Sequence, residues 1–187
     1  MIRFFDFTFA FFGLLILSPI ILIIYLLGLF DTGHPIFLQE RVGKDKKPFK
    51  ICKFRTMKLS TDSVATHLAD SSSVTKYGKF LRKTKLDELP QLFNVLKGDM
   101  SLVGARPNLF NQNQLIEERD KLGVYNHKPG ITGLAQIREI DMSTPEKLSK
   151  LDAKMYETLN LKNYFKYIFA TLSGKGQGDR IQKEENE

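Results

Sequence analysis

The 187-residue sequence has no tryptophan, three histidines and a single cysteine, Cys52. One cysteine cannot close an internal disulfide, which excludes a disulfide-stapled secreted scaffold. His34, His67 and His127 stand far apart, with no cysteine or carboxylate at metal-ligand intervals, so the pattern argues against a zinc centre. Cys52 has no histidine nearby in sequence and reads as a small buried hydrophobe rather than a nucleophile. A phosphate-binding Gly-rich loop, a dinucleotide fingerprint, internal repeats and low-complexity tracts are all absent. Negative charge is in short supply too: 21 acidic residues face 28 lysines and arginines, a net charge of +7. No nucleic-acid-binding motif accompanies this excess, and a membrane surface accounts for the lysines as well as nucleic acid would.

What is present is unevenly placed. Of the 27 positions from Phe4 to Phe30, 21 are apolar, and they include 7 of the 15 phenylalanines. Phe7 to Phe30 is a run of 24 residues without a charge, long enough as a helix to cross a hydrocarbon core of about 30 Å. The run is too long for a cleaved signal peptide, and no small-x-small site precedes Asp31. The remaining body is too small to bury such a helix on every side. Ser18-Pro19 falls near its middle. Proline removes an amide hydrogen and crowds the preceding turn, and a serine hydroxyl can satisfy the freed backbone group. Two readings follow: a kinked helix that spans the membrane, or a re-entrant hairpin that dips into one leaflet and returns. Basic residues flank both ends, Arg3 on one side and Arg41, Lys44, Lys46, Lys47, Lys50, Lys53, Arg55 and Lys58 on the other. The dense set belongs in the cytoplasm, where it can meet anionic lipid headgroups.

In the basic body, the alternation from Phe49 to Phe54 predicts a short strand with its lysines on one face. Leu59 to Ser73, rich in Ser, Thr and Asp, predicts a surface loop. Leu89, Leu92, Phe93 and Leu96 recur at helical spacing before Gly98, which predicts a helix of about ten residues ending near Lys97. Thr84 and Asp87 have capping-box spacing, and Pro90 fits only a first turn, so Asp87 and Glu88 fall at the helix start. Further helices are predicted over roughly 111–122 and from Thr144 toward Leu159. Pro129 to Gly133 reads as a turn-rich loop, and Leu161 to Thr171, mixing aromatic and basic residues, suits a membrane surface.

Asp87-Glu88 is the candidate site. Acidic residues in a first turn also cap amides and complement the helix dipole, which requires no catalysis. Three features favour chemistry: the bases Lys53, Arg55, Arg82 and Arg106 lie at strand, turn or helix edges where they can hold phosphate oxygens, the turn Ser101 to Pro107 presents Arg106, and Pro129 to Gly133 offers amides and the Thr132 hydroxyl.

The segments Lys53-Phe54-Arg55-Thr56-Met57, LRKTKLDELPQLFNVLKGDMSLVGARP (Leu81 to Pro107) and PGITGLAQ (Pro129 to Gln136) resemble the bacterial sugar transferases called monotopic phosphoglycosyl transferases. The resemblance runs from the membrane segment to about Gln136, and the length suits the short members of the family. It implies an α+β, mostly helical architecture: a re-entrant membrane helix-break-helix over 1–30, broken at Ser18-Pro19, and a small cytoplasmic catalytic domain with a few short strands over 31–172. Residues 173–187, rich in glycine and charge, read as a disordered tail.

The activity implied is transfer of a sugar-1-phosphate from a UDP-sugar to undecaprenyl phosphate on the cytoplasmic face of the bacterial inner membrane, with UMP released. This is the first membrane step of glycoconjugate assembly, with membrane lipids and no nucleic acid as further partners. In the family the aspartate of the Asp-Glu pair is the nucleophile, here Asp87, forming a covalent aspartyl-phosphosugar, and Mg²⁺ lies near it. Glu88 would handle a proton or tune the aspartate. Lys53, Arg55, Arg82, Arg106, Thr132 and Gln136 are the expected substrate contacts. Relatives usually carry proline where Ala105 stands, which implies a looser turn before Arg106, and beyond Gln136 the match is weak. A carboxylate nucleophile is chemically apt, because it is ionised at neutral pH and needs no activating base. Two competing classes remain: a membrane-anchored basic adapter without catalysis, and a diphosphate hydrolase in which water resolves the same intermediate. The sugar, the pathway and the oligomeric state are not specified by the sequence.

Overall fold

A computed structural model describes residues 1–61 and 71–176. The uncharged run lies in one helix, α1 (Ile2–Asp31), about 45 Å long at about 1.5 Å per residue. The family resemblance implies a break at Ser18-Pro19; here one helix runs through both residues. Pro19 has no amide hydrogen to give the carbonyl of Leu15, and the Ser18 hydroxyl donates to that carbonyl at 2.8 Å in its place. Asp6, Ala10, Ile24 and Gly28 form a buried stripe on one side of α1, whereas Phe4, Leu15, Ile16 and Phe30 are exposed.

The predicted strand is β2 (Pro48–Phe54), paired antiparallel with β1 (Ile36–Val42) from Ile36 opposite Phe54 to Val42 opposite Pro48. Its lysines do not share a face: side chains alternate along a strand, so Lys50 is exposed and Lys53 is buried. Helix α2 (Lys76–Thr84) is capped by Thr75, whose hydroxyl accepts from the Gly78 amide. Thr84, predicted to cap the next helix, closes α2 instead, with its hydroxyl donating to the Phe80 carbonyl. Lys85, at φ 58°, reverses the chain into a 3-10 turn, Leu86–Glu88. Pro90 then leads into α3 (Gln91–Lys97), which ends at Gly98 as the sequence predicts.

Strand β3 (Ser101–Val103) and helix α4 (Asn113–Lys121) follow. Pro129 to Gly133 is not an open loop: Gly130–Thr132 forms β4, parallel to β3, with Ser101 opposite Gly130 and Val103 opposite Thr132. Only glycine permits this approach, since a Cβ on Gly130 would lie 2.0 Å from the Gly104 nitrogen. Helices α5 (Leu134–Ile137), α6 (Pro145–Glu157) and α7 (Leu161–Leu172) follow, with α4 and α6 close to their predicted positions.

The body holds α1 near both of its ends. The Arg3 guanidinium donates to the carbonyls of Val95 and Leu96 at the end of α3. The Asp6 carboxylate accepts from the Ser101 hydroxyl (3.0 Å), the Leu102 amide (2.9 Å) and the Tyr164 hydroxyl (2.9 Å). At the other end, the Thr75 hydroxyl donates to Asp31 (2.7 Å) and the Tyr77 hydroxyl to the Ile24 carbonyl (2.9 Å). Ala10 packs with Ile51, Val95 and Met100, and Ile24 packs with Phe54 and Leu81, so α1 supplies two of the core clusters. A third cluster joins Val103, Leu134, Met155, Tyr164 and Tyr167.

Most of the loop predicted over 59–73, His67 included, and most of the predicted tail lie outside the described residues. The described part of the predicted tail is residues 173–176. The Ser173, Gly174 and Lys175 amides donate to the carbonyls of Phe169, Thr171 and Ala170, closing the end of α7.

Candidate active site

Asp87 and Glu88 occupy the 3-10 turn between α2 and α3, and Asp87 is buried. Oε1 of Glu88 accepts from the Arg106 guanidinium at 2.8 Å and lies 3.6 Å from the Lys53 ammonium. Three elements thus converge: the end of β2 brings Lys53, the turn brings the carboxylates, and the segment after β3 brings Arg106. A carboxylate placed between two cations fixes both of them in position.

Arg82, in the last turn of α2, donates through Nε to the Thr56 hydroxyl at 2.9 Å, which ties α2 to the segment after β2. Its Nη1 is buried and has no hydrogen-bond partner among the described residues. A buried guanidinium N–H of this kind is what an anionic ligand satisfies. Lys85 is an additional cation, two residues before Asp87. Its ammonium donates to the Lys175 carbonyl at 2.9 Å, which draws the end of the described chain toward the Asp87 turn. Burial holds Lys85 below the usual lysine range, opposed by the Glu88 charge and reinforced by the Arg106 charge. Gly176, at φ 75°, lies against the Gln136 carbonyl, where a Cβ would come within 2.6 Å.

Other sequence candidates have different surroundings. Arg55 donates to the carbonyls of His34 (2.9 Å) and Ile36 (3.5 Å), and its guanidinium lies over the Phe37 ring, 5.3 Å from the centroid. These contacts place Arg55 at the start of β1. The Thr132 hydroxyl shares a hydrogen bond with Thr171, linking β4 to α7. Gln136 donates to the Gly104 carbonyl at 3.3 Å, next to the Arg106 turn, and its Oε1 is buried without a partner among the described residues. The Gly130 amide, predicted to be available to a phosphate, donates to the Ala105 carbonyl at 2.9 Å. Burial raises the pKa of the Cys52 thiol, in keeping with an unreactive cysteine.

The turn before Arg106 is not loose. Without proline at position 105, its amide is free to donate, and it does so to the Tyr156 hydroxyl at 2.8 Å. The Arg106 carbonyl accepts from Arg119 at 2.8 Å, and Arg119 is itself buried in an ion pair with Asp152 at 2.7 Å. Tyr156, Arg119 and Asp152 are absent from the sequence-derived site.

Among the described residues, no three histidine, cysteine or acidic side chains gather around a potential metal position. Magnesium needs no such cluster when one or two carboxylates and the phosphates of a ligand hold it, and the adjacent Asp87 and Glu88 carboxylates are donors of that class.

The family described as Bacterial sugar transferase matches the chain over residues 1–176. Similar proteins include the galactosyl transferase CpsE of Streptococcus agalactiae serotype III (strain NEM316), 37% identical over 184 residues. That alignment covers 91% of this chain and 41% of the relative. The uncharacterized sugar transferase EpsL of Bacillus subtilis (strain 168) is 44% identical over 151 residues, covering 80% of this chain and 74% of the relative. A UDP-glucose:undecaprenyl-phosphate glucose-1-phosphate transferase of Klebsiella pneumoniae is 41% identical over 170 residues, covering 85% of this chain and 36% of the relative. The chain therefore spans less than half the length of two of these three relatives.

Proposed function

The chain belongs to the bacterial sugar transferase family, and from that premise we propose that it transfers a sugar-1-phosphate from a UDP-sugar to undecaprenyl phosphate. The observation that carries this reading is the buried Asp87 beside Glu88, with Glu88 held by Arg106 and Lys53. That cluster suits a diphosphate: the cations meet its charge and leave a carboxylate as the attacking group.

In the first step an oxygen of Asp87 attacks the phosphorus that bears the sugar. The P–O bond to the uridine side breaks, and its electron pair leaves with UMP. The aspartyl-phosphosugar then meets an oxygen of undecaprenyl phosphate, which attacks the same phosphorus and frees the Asp87 carboxylate. No net proton transfer is required. Arg106, Lys53 and the unpartnered Nη1 of Arg82 stabilise the charge on the phosphoryl oxygens and on departing UMP. Glu88 holds Arg106 and Lys53 in position. Magnesium, when bound by Asp87 and the donor diphosphate, supplies further charge neutralisation.

The membrane side of the proposal rests on α1. A single spanning helix would carry its two ends to opposite faces of the bilayer, whereas here one body binds both Arg3 and Asp31. That supports a monotopic helix with its apolar outer side in one leaflet and the body on the cytoplasmic face. Phe165 of α7 meets Phe5 and Phe9 of α1 edge-on at 5.4 and 6.0 Å, and Phe169 beyond it is exposed. The two helices thus offer one apolar surface, which supports a body lying against the bilayer, where the acceptor phosphate is found.

The test is UMP release from UDP-sugars by the detergent-solubilised protein, with and without undecaprenyl phosphate. Release that depends on the lipid, with the sugar-phosphate recovered on it, supports the proposal. Binding without turnover would favour the adapter, and free sugar-1-phosphate would favour the hydrolase. The relatives are named for galactosyl and glucose-1-phosphate transfer, so a panel of UDP-sugars is needed to find the donor.

A further inference from the structure

The backbone around Arg106 is gripped at successive groups. The Ala105 amide donates to the Tyr156 hydroxyl (2.8 Å), the Arg106 carbonyl accepts from Arg119 (2.8 Å), and the Pro107 carbonyl accepts from Arg41 (3.2 Å). The Asn108 carbonyl accepts from the Val42 amide at 2.9 Å. Tyr156 does more than accept. Its hydroxyl hydrogen goes to the Lys128 carbonyl at 2.9 Å, which orients the oxygen lone pairs toward Ala105. Its ring stacks on His127 at a centroid distance of 4.2 Å and an interplanar angle of 11°, which fixes the direction of the hydroxyl. One phenol therefore bridges the segment before β4 and the segment after β3, on the route from α6 to Arg106.

We propose that Tyr156 is a positioning residue for Arg106: its hydroxyl locks the Ala105–Arg106 peptide, so that the Arg106 guanidinium is held ready for the donor diphosphate. The proposal rests on the donor-binding role given to Arg106 above. Tyr156 touches no reacting atom; it acts through the backbone. Removing the hydroxyl leaves the buried Ala105 N–H without that acceptor and releases the peptide that precedes Arg106. Arg106 then samples positions away from the diphosphate, which weakens donor binding more than it slows the chemical step.

The experiment compares Tyr156→Phe with the unmodified protein in steady-state UMP release. The expected result is a donor KM raised about tenfold with kcat within about twofold. In an Arg106→Ala background, Tyr156→Phe should add no further increase, because the residue that it positions is gone. Rescue tests the atom involved: Ala105→Pro removes the amide hydrogen, so Tyr156→Phe/Ala105→Pro should recover a KM close to that of Ala105→Pro alone. An unchanged KM in Tyr156→Phe, or the same increase with and without Arg106, overturns the proposal. Should Tyr156→Phe fail to fold, the double variant compared with Ala105→Pro decides: similar KM values support the proposal, and a large difference overturns it. Amide exchange at Ala105, followed by mass spectrometry, needs no turnover. It should accelerate in Tyr156→Phe, and unchanged exchange overturns the proposal. A wild-type protein that releases no UMP from any UDP-sugar refutes the transferase reading instead, and leaves the lock to be judged by exchange.

Discussion

Asp6 and Tyr164, 158 positions apart, share a 2.9 Å hydrogen bond inside the protein. The same carboxylate oxygen also serves Ser101 and the Leu102 amide. An acid near the start of an apolar helix thereby becomes the peg that seats α1 on β3 and α7. Desolvation and the neighbouring Asp6 charge push the Tyr164 phenol well above the usual tyrosine range, so it remains a donor at any physiological pH.

Asp6→Ala removes one acceptor from three donors. Because unsatisfied buried donors cost about 1–3 kcal/mol each, the variant should lose on the order of 3 kcal/mol or more, and Tyr164→Phe only about 1 kcal/mol. Thermal unfolding in detergent would rank the two, and equal melting temperatures would contradict the peg.

Asp87→Asn should abolish turnover, with a loss of at least about a thousandfold, and should remove covalent labelling by a radiolabelled UDP-sugar. Glu88→Gln should retain some labelling, because it leaves the attacking oxygen intact while weakening the hold on Arg106 and Lys53. Full activity in Asp87→Asn would refute Asp87 as the nucleophile.

In a Cys52→Ser background, a cysteine inserted after Met1 and a separate His34→Cys report on the two ends of α1. Both should react with an impermeant maleimide from the same side of oriented membrane vesicles. Labelling from opposite sides would make α1 a spanning helix.

Burial, with a smaller contribution from Lys44, lowers the pKa of His127 from its ordinary 6.5. The unfolded chain therefore takes up the proton first as pH falls, so stability declines as pH drops through about 6.5 and levels off below the folded-state value. His127→Phe keeps a ring against Tyr156 and removes the titration. Its melting temperature should vary less between pH 7.5 and pH 5 than that of the parent, and identical slopes would exclude His127 as a source of the dependence.

Helix α3 and several candidate residues of the site are legible along the chain itself. The Leu89-Leu92-Phe93-Leu96 spacing and Gly98 place α3 and its end, because a 3.6-residue period and a glycine stop are local properties. The Asp-Glu pair, Lys53, Arg82 and Arg106 are readable as candidates from residue type and motif. Their convergence is not, since it depends on β2, the Asp87 turn and β3 meeting in space. Thr84 misleads because a hydroxyl at a helix end can bond backward as readily as forward. Pro129 to Gly133 misleads because glycines signal turns, whereas Gly130 is needed here for backbone contact with Gly104.

The long apolar helix, the basic body and the candidate acid pair with its cations follow from composition, period and motif along one stretch of chain. Four features come from packing between distant segments: α1 is held at both ends, Glu88 sits between Arg106 and Lys53, Arg55 serves the start of β1, and Tyr156 and Arg119 grip the Arg106 turn. Each of these is a contact between residues distant in sequence, fixed by packing and hydrogen-bond satisfaction rather than by local preference.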